Sequence, residues 1–245
     1  MGIVYLLYGT VCYAIFFLTF LYLIGFVANQ VVPKSIDSGV AGPELQAFFI
    51  NAVLVAVFGV QHTIMARPWF KRSWTRVVPP AAERSTYVLL SSLALMLLYW
   101  QWRPMPDYLW HVENETGRAV LYGIMMLGFG IVLVSTFLID HFDLFGLRQV
   151  FLRFRNAEYK HRAFVTPFLY KLVRHPLYLG FLIAFWVTPD MTESHALFAL
   201  SMTGYIFAAL PHEEGDLIHH FGNDYVEYKK RTPAIIPFPG RKKRS

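Results

Sequence analysis

The sequence is poor in charge, nearly free of cysteine, and without the glycine-rich loops that cradle nucleotides. Charged residues make up 16% of the 245 positions, against about 25% in an ordinary soluble domain. That is too little to coat a water-facing surface, and it equally excludes a disordered chain or a coiled coil. The single cysteine, Cys12, cannot close an internal disulfide, so a secreted disulfide scaffold is excluded as well. It sits in an apolar run, where it packs as a small hydrophobe. Gly123, Gly128 and Gly130 lie inside an apolar helical run and lack the Rossmann spacing, and neither a P-loop nor a G-x-S-x-G elbow occurs. The chain has no internal repeat, low-complexity tract or soluble domain.

What is there is apolar. Hydrophobic residues make up 56% of the chain and aromatics 17%, with a mean hydropathy of +0.41. This predicts an all-α, polytopic integral membrane helical bundle. A span needs about 20 mostly apolar residues. Four candidates run from Ile3 to Ala28, Leu45 to Ala66, Ser85 to Trp102 and Ala119 to Ile139. The first has no basic n-region and is too long for a cleavable signal peptide. Two shorter runs, Leu177 to Thr188 and His195 to Leu210, flank the polar stretch from Pro189 to Ser194 and read as a helical hairpin, giving five or six spans.

The net charge of +6 does not point to nucleic acid, because the basic residues cluster in loops between apolar segments. They mark sidedness instead. Arg67, Lys71, Arg72, Arg76 and Arg84 follow the second span. Arg148, Arg153, Arg155, Lys160, Arg162, Lys171 and Arg174 follow the fourth, and the tail carries Lys229, Lys230, Arg231 and Arg241 to Arg244. The alternate loops hold only Lys34 and Arg103. The basic side is therefore expected in the cytoplasm, with the Arg241–Arg244 run a topology and anionic-lipid signal.

Nine histidines raise the question of metal. A di-iron cluster needs histidine pairs at helical i,i+3 or i,i+4 spacing, and no two histidines here stand three or four apart. The sequence predicts no metal site. His219-His220-Phe221-Gly222 reads as a helix C-terminus, where histidine suits the dipole and glycine caps.

Two stretches carry chemistry. In the first, from Thr166 to Gly180, Pro176 pushes His175 out of helical conformation and opens the next helix. Arg174 and His175 are thus displayed at the positive N-terminus of a span, where a carboxylate can dock, and Gly180 permits a close approach one turn in. The second begins His212-Glu213-Glu214-Gly215-Asp216 and continues through Phe221-Gly222-Asn223-Asp224-Tyr225 to Thr232-Pro233. Adjacent carboxylates ending a hydrophobic helix must be solvated or paired. Asn223 is expected to cap a short amphipathic helix bearing Tyr225 and Tyr228, ending at Thr232-Pro233. In the front half, His62 inside the second span is a functional candidate, as is the Glu83-Arg84-Ser85-Thr86-Tyr87 run.

The R-H-P-x-Y-x-G stretch, the Glu-Glu pair and the F-G-x-x-Y-x-x-Y run together resemble the isoprenylcysteine carboxyl methyltransferase-like membrane methyltransferases over roughly the last 80 residues. The front half looks like an NnrU-type membrane domain. The junction from Ser135 to Gln149 looks like the methanethiol S-methyltransferase branch of the superfamily. The resemblance implies one transmembrane domain, with spans in 1–139 and a cofactor-binding half in 140–245. It implies an S-adenosylmethionine site on the cytoplasmic face of a bacterial inner membrane protein, and methyl transfer to a small thiol, giving dimethyl sulfide from methanethiol. Thr166, Tyr170, Arg174, His175, Pro176, Tyr178, Leu179, Glu213 and Glu214 would line the cofactor pocket. Gly215 stands where relatives carry Arg or Lys, so the basic partner expected for Glu214 is missing.

The thiolate is the nucleophile, so a base or a positive field is required. His141 and Asp143 are the candidate bases, with Arg148 and Glu214 as further catalytic candidates and His62, Glu83, Arg84 and Tyr87 on the substrate side. Two rival readings stay open: methylation of a prenylcysteine carboxylate or lipid amine, and a non-enzymatic haem protein using His62 and His141. The oligomeric state is not legible.

Overall fold

The structure, a computed structural model, describes residues 2–160 and 163–237. Arg162 and the basic Arg241–Arg244 run lie outside the described residues. Ten α-helices are present among those described: α1 Gly2–Ala28, α2 Glu44–Ala66, α3 Pro68–Trp74, α4 Pro80–Gln101, α5 Glu115–Ile139, α6 His141–Leu144, α7 Leu147–Phe154, α8 Pro176–Trp186, α9 Glu193–Phe221 and α10 Asn223–Arg231. Five of them, α1, α2, α4, α5 and α9, are long and apolar enough to cross a membrane, and α8 is a shorter apolar helix. The chain is an all-α polytopic membrane protein.

Its helices are built for lipid. Large apolar side chains such as Leu18, Val53, Trp100, Leu127 and Leu200 face outward, whereas Asn51, Ser85, Ser91, Ser92, Ser135 and Thr136 are buried. Small hydroxyls answer their own helix carbonyls, as Ser92 does toward Val88 O (2.8 Å) and Ser135 toward Ile131 O (2.6 Å). Small residues let membrane helices approach where no hydrophobic effect drives them together. One such approach is between α5 and α8: a Cβ on Gly180 would stand 2.7 Å from Gly128 O, and one on Gly128 would stand 2.7 Å from Ala184 N. Gly180 thus admits a neighbouring backbone. The main core gathers Phe26, Leu98, Trp102, Met125, Phe185 and Phe198 toward the end opposite the basic loops. There two short strands, β1 Tyr108–His111 and β2 Asp190–Thr192, pair antiparallel and tie the loop after α4 to the hairpin between α8 and α9.

Two expectations change. The second half of the hairpin does not stop at Leu210: α9 runs through Pro211 to Phe221. Pro211 forfeits one backbone hydrogen bond, but it is exposed, and the helix continues to carry its carboxylates onto the basic end. Gly222 (φ +58°), not Asn223, occupies the cap between α9 and α10, and no side chain caps the N-terminus of α10. Only glycine reaches that backbone region readily. As expected, α10 buries Tyr225 and Tyr228 and ends at Thr232.

Candidate active site

At the basic end, α8 begins beside the emerging end of α9. His175 precedes Pro176 with φ −125° and ψ 64°, outside the helical region, and caps α8 through its backbone. Two carbonyls from the far end of the chain hold this corner. Arg174 N donates to Pro233 O (2.8 Å) and His175 N donates to Ala234 O (2.9 Å).

The side chains converge on Glu214. Arg174 Nη2 stands 2.6 Å and Nε 2.8 Å from its Oε1, while Lys229 Nζ lies 2.6 Å from Oε2. His175 Nε2 is 3.2 Å from the same Oε1. Arg174 Nη1 also donates to Thr232 O and to Lys229 O (3.2 Å). Lys229, from α10, is thus a basic partner for the carboxylate that Gly215 does not supply. Glu213 is the more exposed of the pair: Tyr178 donates to its Oε2 (2.5 Å), and His175 Nδ1 is 3.7 Å away. The His175 and Tyr178 rings stack at 5.4 Å. Tyr170 lies beneath, receiving the Tyr228 hydroxyl on its carbonyl (2.5 Å), and burial pushes the Tyr228 phenol up to about 12. Beside this corner an open cleft of about 360 Å³ is lined by Thr166, Lys171, Tyr228, Arg231 and Thr232. The expected residues Thr166, Tyr170, Arg174, His175, Pro176, Tyr178, Leu179, Glu213 and Glu214 therefore fall in one neighbourhood, and Leu179 N donates to His175 O (3.1 Å).

The substrate-side candidates form a second group. Tyr87 Oη is 2.8 Å from His62 Nε2, and Ser91 Oγ is 3.1 Å from His62 Nδ1. The Arg84 guanidinium lies 5.6 Å from the Tyr87 ring centroid. One Glu83 carboxylate oxygen is buried without a hydrogen-bond partner. The bridge to the first group is Tyr205 of α9. It contacts the His62 ring edge-on at 6.2 Å and lies within electrostatic reach of Tyr178 and Glu213. Arg67 fastens the same end, 3.1 Å from Asp216.

The junction after α5 is arranged differently. Asp143 accepts from Arg148 (3.2 Å), Tyr159 (3.1 Å) and Gln149 (3.3 Å), so its oxygens hold the connector together. His141 is buried, stacked 4.1 Å from Phe137, with Nε2 2.7 Å from Tyr13 Oη and Nδ1 2.8 Å from Thr136 Oγ1. Burial lowers its pKa below the ordinary histidine value. Both nitrogens of His62 and of His141 are thus committed within the protein, an arrangement ill suited to axial haem ligation. Among the described residues no three His, Cys, Asp or Glu side chains are grouped to hold a metal ion.

The chain is similar along nearly its whole length to named proteins. A methanethiol S-methyltransferase of Mycobacterium tuberculosis is 51% identical over 236 residues, 96% of this chain and 97% of that protein. Methanethiol S-methyltransferase 2 of Bradyrhizobium diazoefficiens is 53% identical over 232 residues, 95% of this chain and 89% of the relative. This chain belongs to the methanethiol S-methyltransferase family. A third member, from Crocosphaera subtropica, is 49% identical over 237 residues, 97% of this chain and 93% of its own. No family model and no solved structure matches the chain.

The sequence missed Lys229, Lys171, Arg231 and Tyr205 as members of this neighbourhood. The gap at Gly215 was the one signal for Lys229, since a carboxylate leaving a hydrophobic helix needs a cation from somewhere. Nothing marked Tyr205, an ordinary aromatic in an apolar run.

Proposed function

We propose that this protein transfers the methyl group of S-adenosylmethionine to methanethiol, giving dimethyl sulfide. The observation that carries the reading is the carboxylate-rich corner at Arg174-His175 and Glu213-Glu214, beside a cationic cleft, in a chain about half identical to named methanethiol S-methyltransferases.

The residues present fit the cofactor. The 360 Å³ cleft falls in the usual range for small-ligand sites, roughly 300–1,000 Å³. Lys171 and Arg231 suit its carboxylate, and the Glu213 carboxylate suits its ammonium or ribose hydroxyls. Thr166, Tyr170, Pro176, Tyr178 and Leu179 supply walls and backbone groups, while Glu214 fixes Arg174 and His175 in place. When bound, S-adenosylmethionine supplies an electrophilic methyl on a sulfonium. The protein then has to align the thiol with that methyl, exclude water and remove the thiol proton. Methanethiol needs little surface for recognition, and the rings of Phe58, Tyr87 and Tyr205 pack around His62 as an apolar surface suited to so small a thiol. The basic loops favour a cytoplasmic cofactor face.

The test is incubation of purified protein with S-adenosylmethionine and a panel of methanethiol, prenylcysteines and lipids. Dimethyl sulfide in the headspace with methanethiol, and little product from the others, is the expected result. Methylation of a lipid or prenylcysteine alone overturns it.

A further inference from the structure

Thiol methylation needs a destination for the thiol proton. We infer that this destination is the Tyr87 hydroxyl, backed by His62 as the final acceptor. The inference rests on the proposed reaction and adds the route its proton takes.

The hydrogen bonds fix the direction of transfer. Ser91 has one hydroxyl proton and donates it to Tyr87 O (2.9 Å). Toward His62 Nδ1, 3.1 Å away, its oxygen must therefore accept, so Nδ1 carries the imidazole proton. His62 Nε2 is then a bare lone pair, and at 2.8 Å it receives the Tyr87 O–H. With its own proton committed to His62, the Tyr87 oxygen offers lone pairs to an incoming S–H. Proton transfer from thiol sulfur to Tyr87 Oη, with the Tyr87 proton moving to Nε2, yields a thiolate, a neutral tyrosine and an imidazolium. The thiolate electron pair forms the new S–C bond. The sulfonium S–C bond breaks toward its own sulfur, which becomes a neutral thioether. One positive charge enters the site on sulfonium and one remains on His62, to be returned to solvent as a proton. Because the total charge is unchanged, the apolar surroundings are not asked to hold an additional ion.

His141 repeats the motif with a different outlook. Thr136 donates to Leu133 O (2.7 Å) and accepts from His141 Nδ1, leaving Nε2 to receive the Tyr13 hydroxyl at 2.7 Å. Tyr13, however, is surrounded by Phe16, Phe17, Phe142 and Phe145. The Tyr87 chain instead neighbours Tyr205 and lies within electrostatic reach of Tyr178, the residue that holds Glu213. The His141 chain also approaches the cofactor corner, since Tyr170 donates to Ser135 O (3.4 Å) beside Thr136, but its Tyr13 hydroxyl is enclosed by phenylalanines, whereas the His62 chain adjoins Tyr205 of α9.

The experiment uses the full-length protein in lipid nanodiscs with ¹⁵N-labelled histidine. The cofactor-free wild type should show His62 with a protonated Nδ1 and a hydrogen-bonded, unprotonated Nε2, and Tyr87→Phe should shift that Nε2 resonance. In turnover, Tyr87→Phe and His62→Gln should lower kcat with methanethiol by about 10²–10⁴-fold, the usual loss for a general base. Binding of S-adenosylhomocysteine should be kept. The loss should shrink for a more acidic thiol, whereas Tyr13→Phe should behave as wild type. An Nε2-protonated His62 overturns the proposal. So does a Tyr87→Phe variant that retains wild-type turnover, or one that binds S-adenosylhomocysteine but loses the same factor with every thiol. A wild type inert toward methanethiol would instead count against the proposed function, and the histidine spectrum would still decide the hydrogen-bond chain.

Discussion

Arg174 and Glu214, forty positions apart in sequence, share one carboxylate oxygen through two guanidinium nitrogens at 2.6 and 2.8 Å, and both side chains are nearly buried, at 9% and 6% exposure. Lys229 takes the other oxygen. Glu214→Gln removes the charge that both cations face. Breaking a buried pair from one side costs about 3–5 kcal/mol, because the partner charge is left uncompensated. The variant should melt well below wild type and lose S-adenosylhomocysteine affinity, as differential scanning and calorimetry in detergent would read. Wild-type melting would mean that the pair does not hold the corner together.

The approach of α5 to α8 gives a second expectation. Since a Cβ at Gly180 meets Gly128 O at 2.7 Å, Gly180→Val forces the two helices apart. Overpacking of this kind costs about 1–3 kcal/mol, and it displaces the turn that carries His175. Reduced thermal stability together with weakened cofactor binding is the predicted pattern. Gly130→Val, whose Cβ would point into open space, is the matched control and should melt as wild type does.

The third concerns the end opposite the basic loops. Asp37 accepts the Thr192 hydroxyl (2.6 Å), and burial, with nearby Asp190, pushes its carboxyl up to about 6. A carboxyl whose folded pKa is raised destabilises the fold when ionised. Its effect is absent below the unfolded value near 4 and grows as pH rises through the folded value near 6. Asp37→Asn should therefore raise the melting temperature at pH 8 and change it little at pH 4. Equal shifts at both pH values would assign the effect to packing instead.

Sidedness can be read by labelling. Cys12 is buried, so single cysteines placed elsewhere report cleanly. Lys34→Cys and Asp107→Cys should react with an impermeant maleimide in intact cells, and Lys160→Cys only after lysis. The reverse pattern would invert the orientation drawn from the basic loops.

The spans were legible because a bilayer demands long apolar runs, and α1, α2, α4 and α5 begin or end within a few residues of the sequence limits. The Arg174-His175 corner was legible because Pro176 restricts the residue before it. Pro211 read locally is a stop, so although His219-His220 and Gly222 marked a helix C-terminus, its continuity with the apolar run before Pro211 was not legible. Nor could sequence distinguish the two tyrosine–histidine chains: His62 and His141 both sit in or beside apolar runs, and their difference lies in which neighbours α9 brings. The junction residues Asp143 and Arg148 were read for their chemistry, but their mutual ion pair depends on the turn at Gly146 that starts α7.

The backbone bonds from Arg174 and His175 to Pro233 and Ala234 set an order of events during synthesis. Nearly sixty residues separate the two halves of that clasp, and every long helix precedes its second half in the chain. The bundle can therefore be threaded into the bilayer while its cofactor corner still lacks two acceptors, the Pro233 and Ala234 carbonyls. Activity should switch on only as the last turn of α10 and the segment after it emerge and fold back. A chain stalled shortly before Thr232 would occupy the membrane as an inserted but catalytically silent protein.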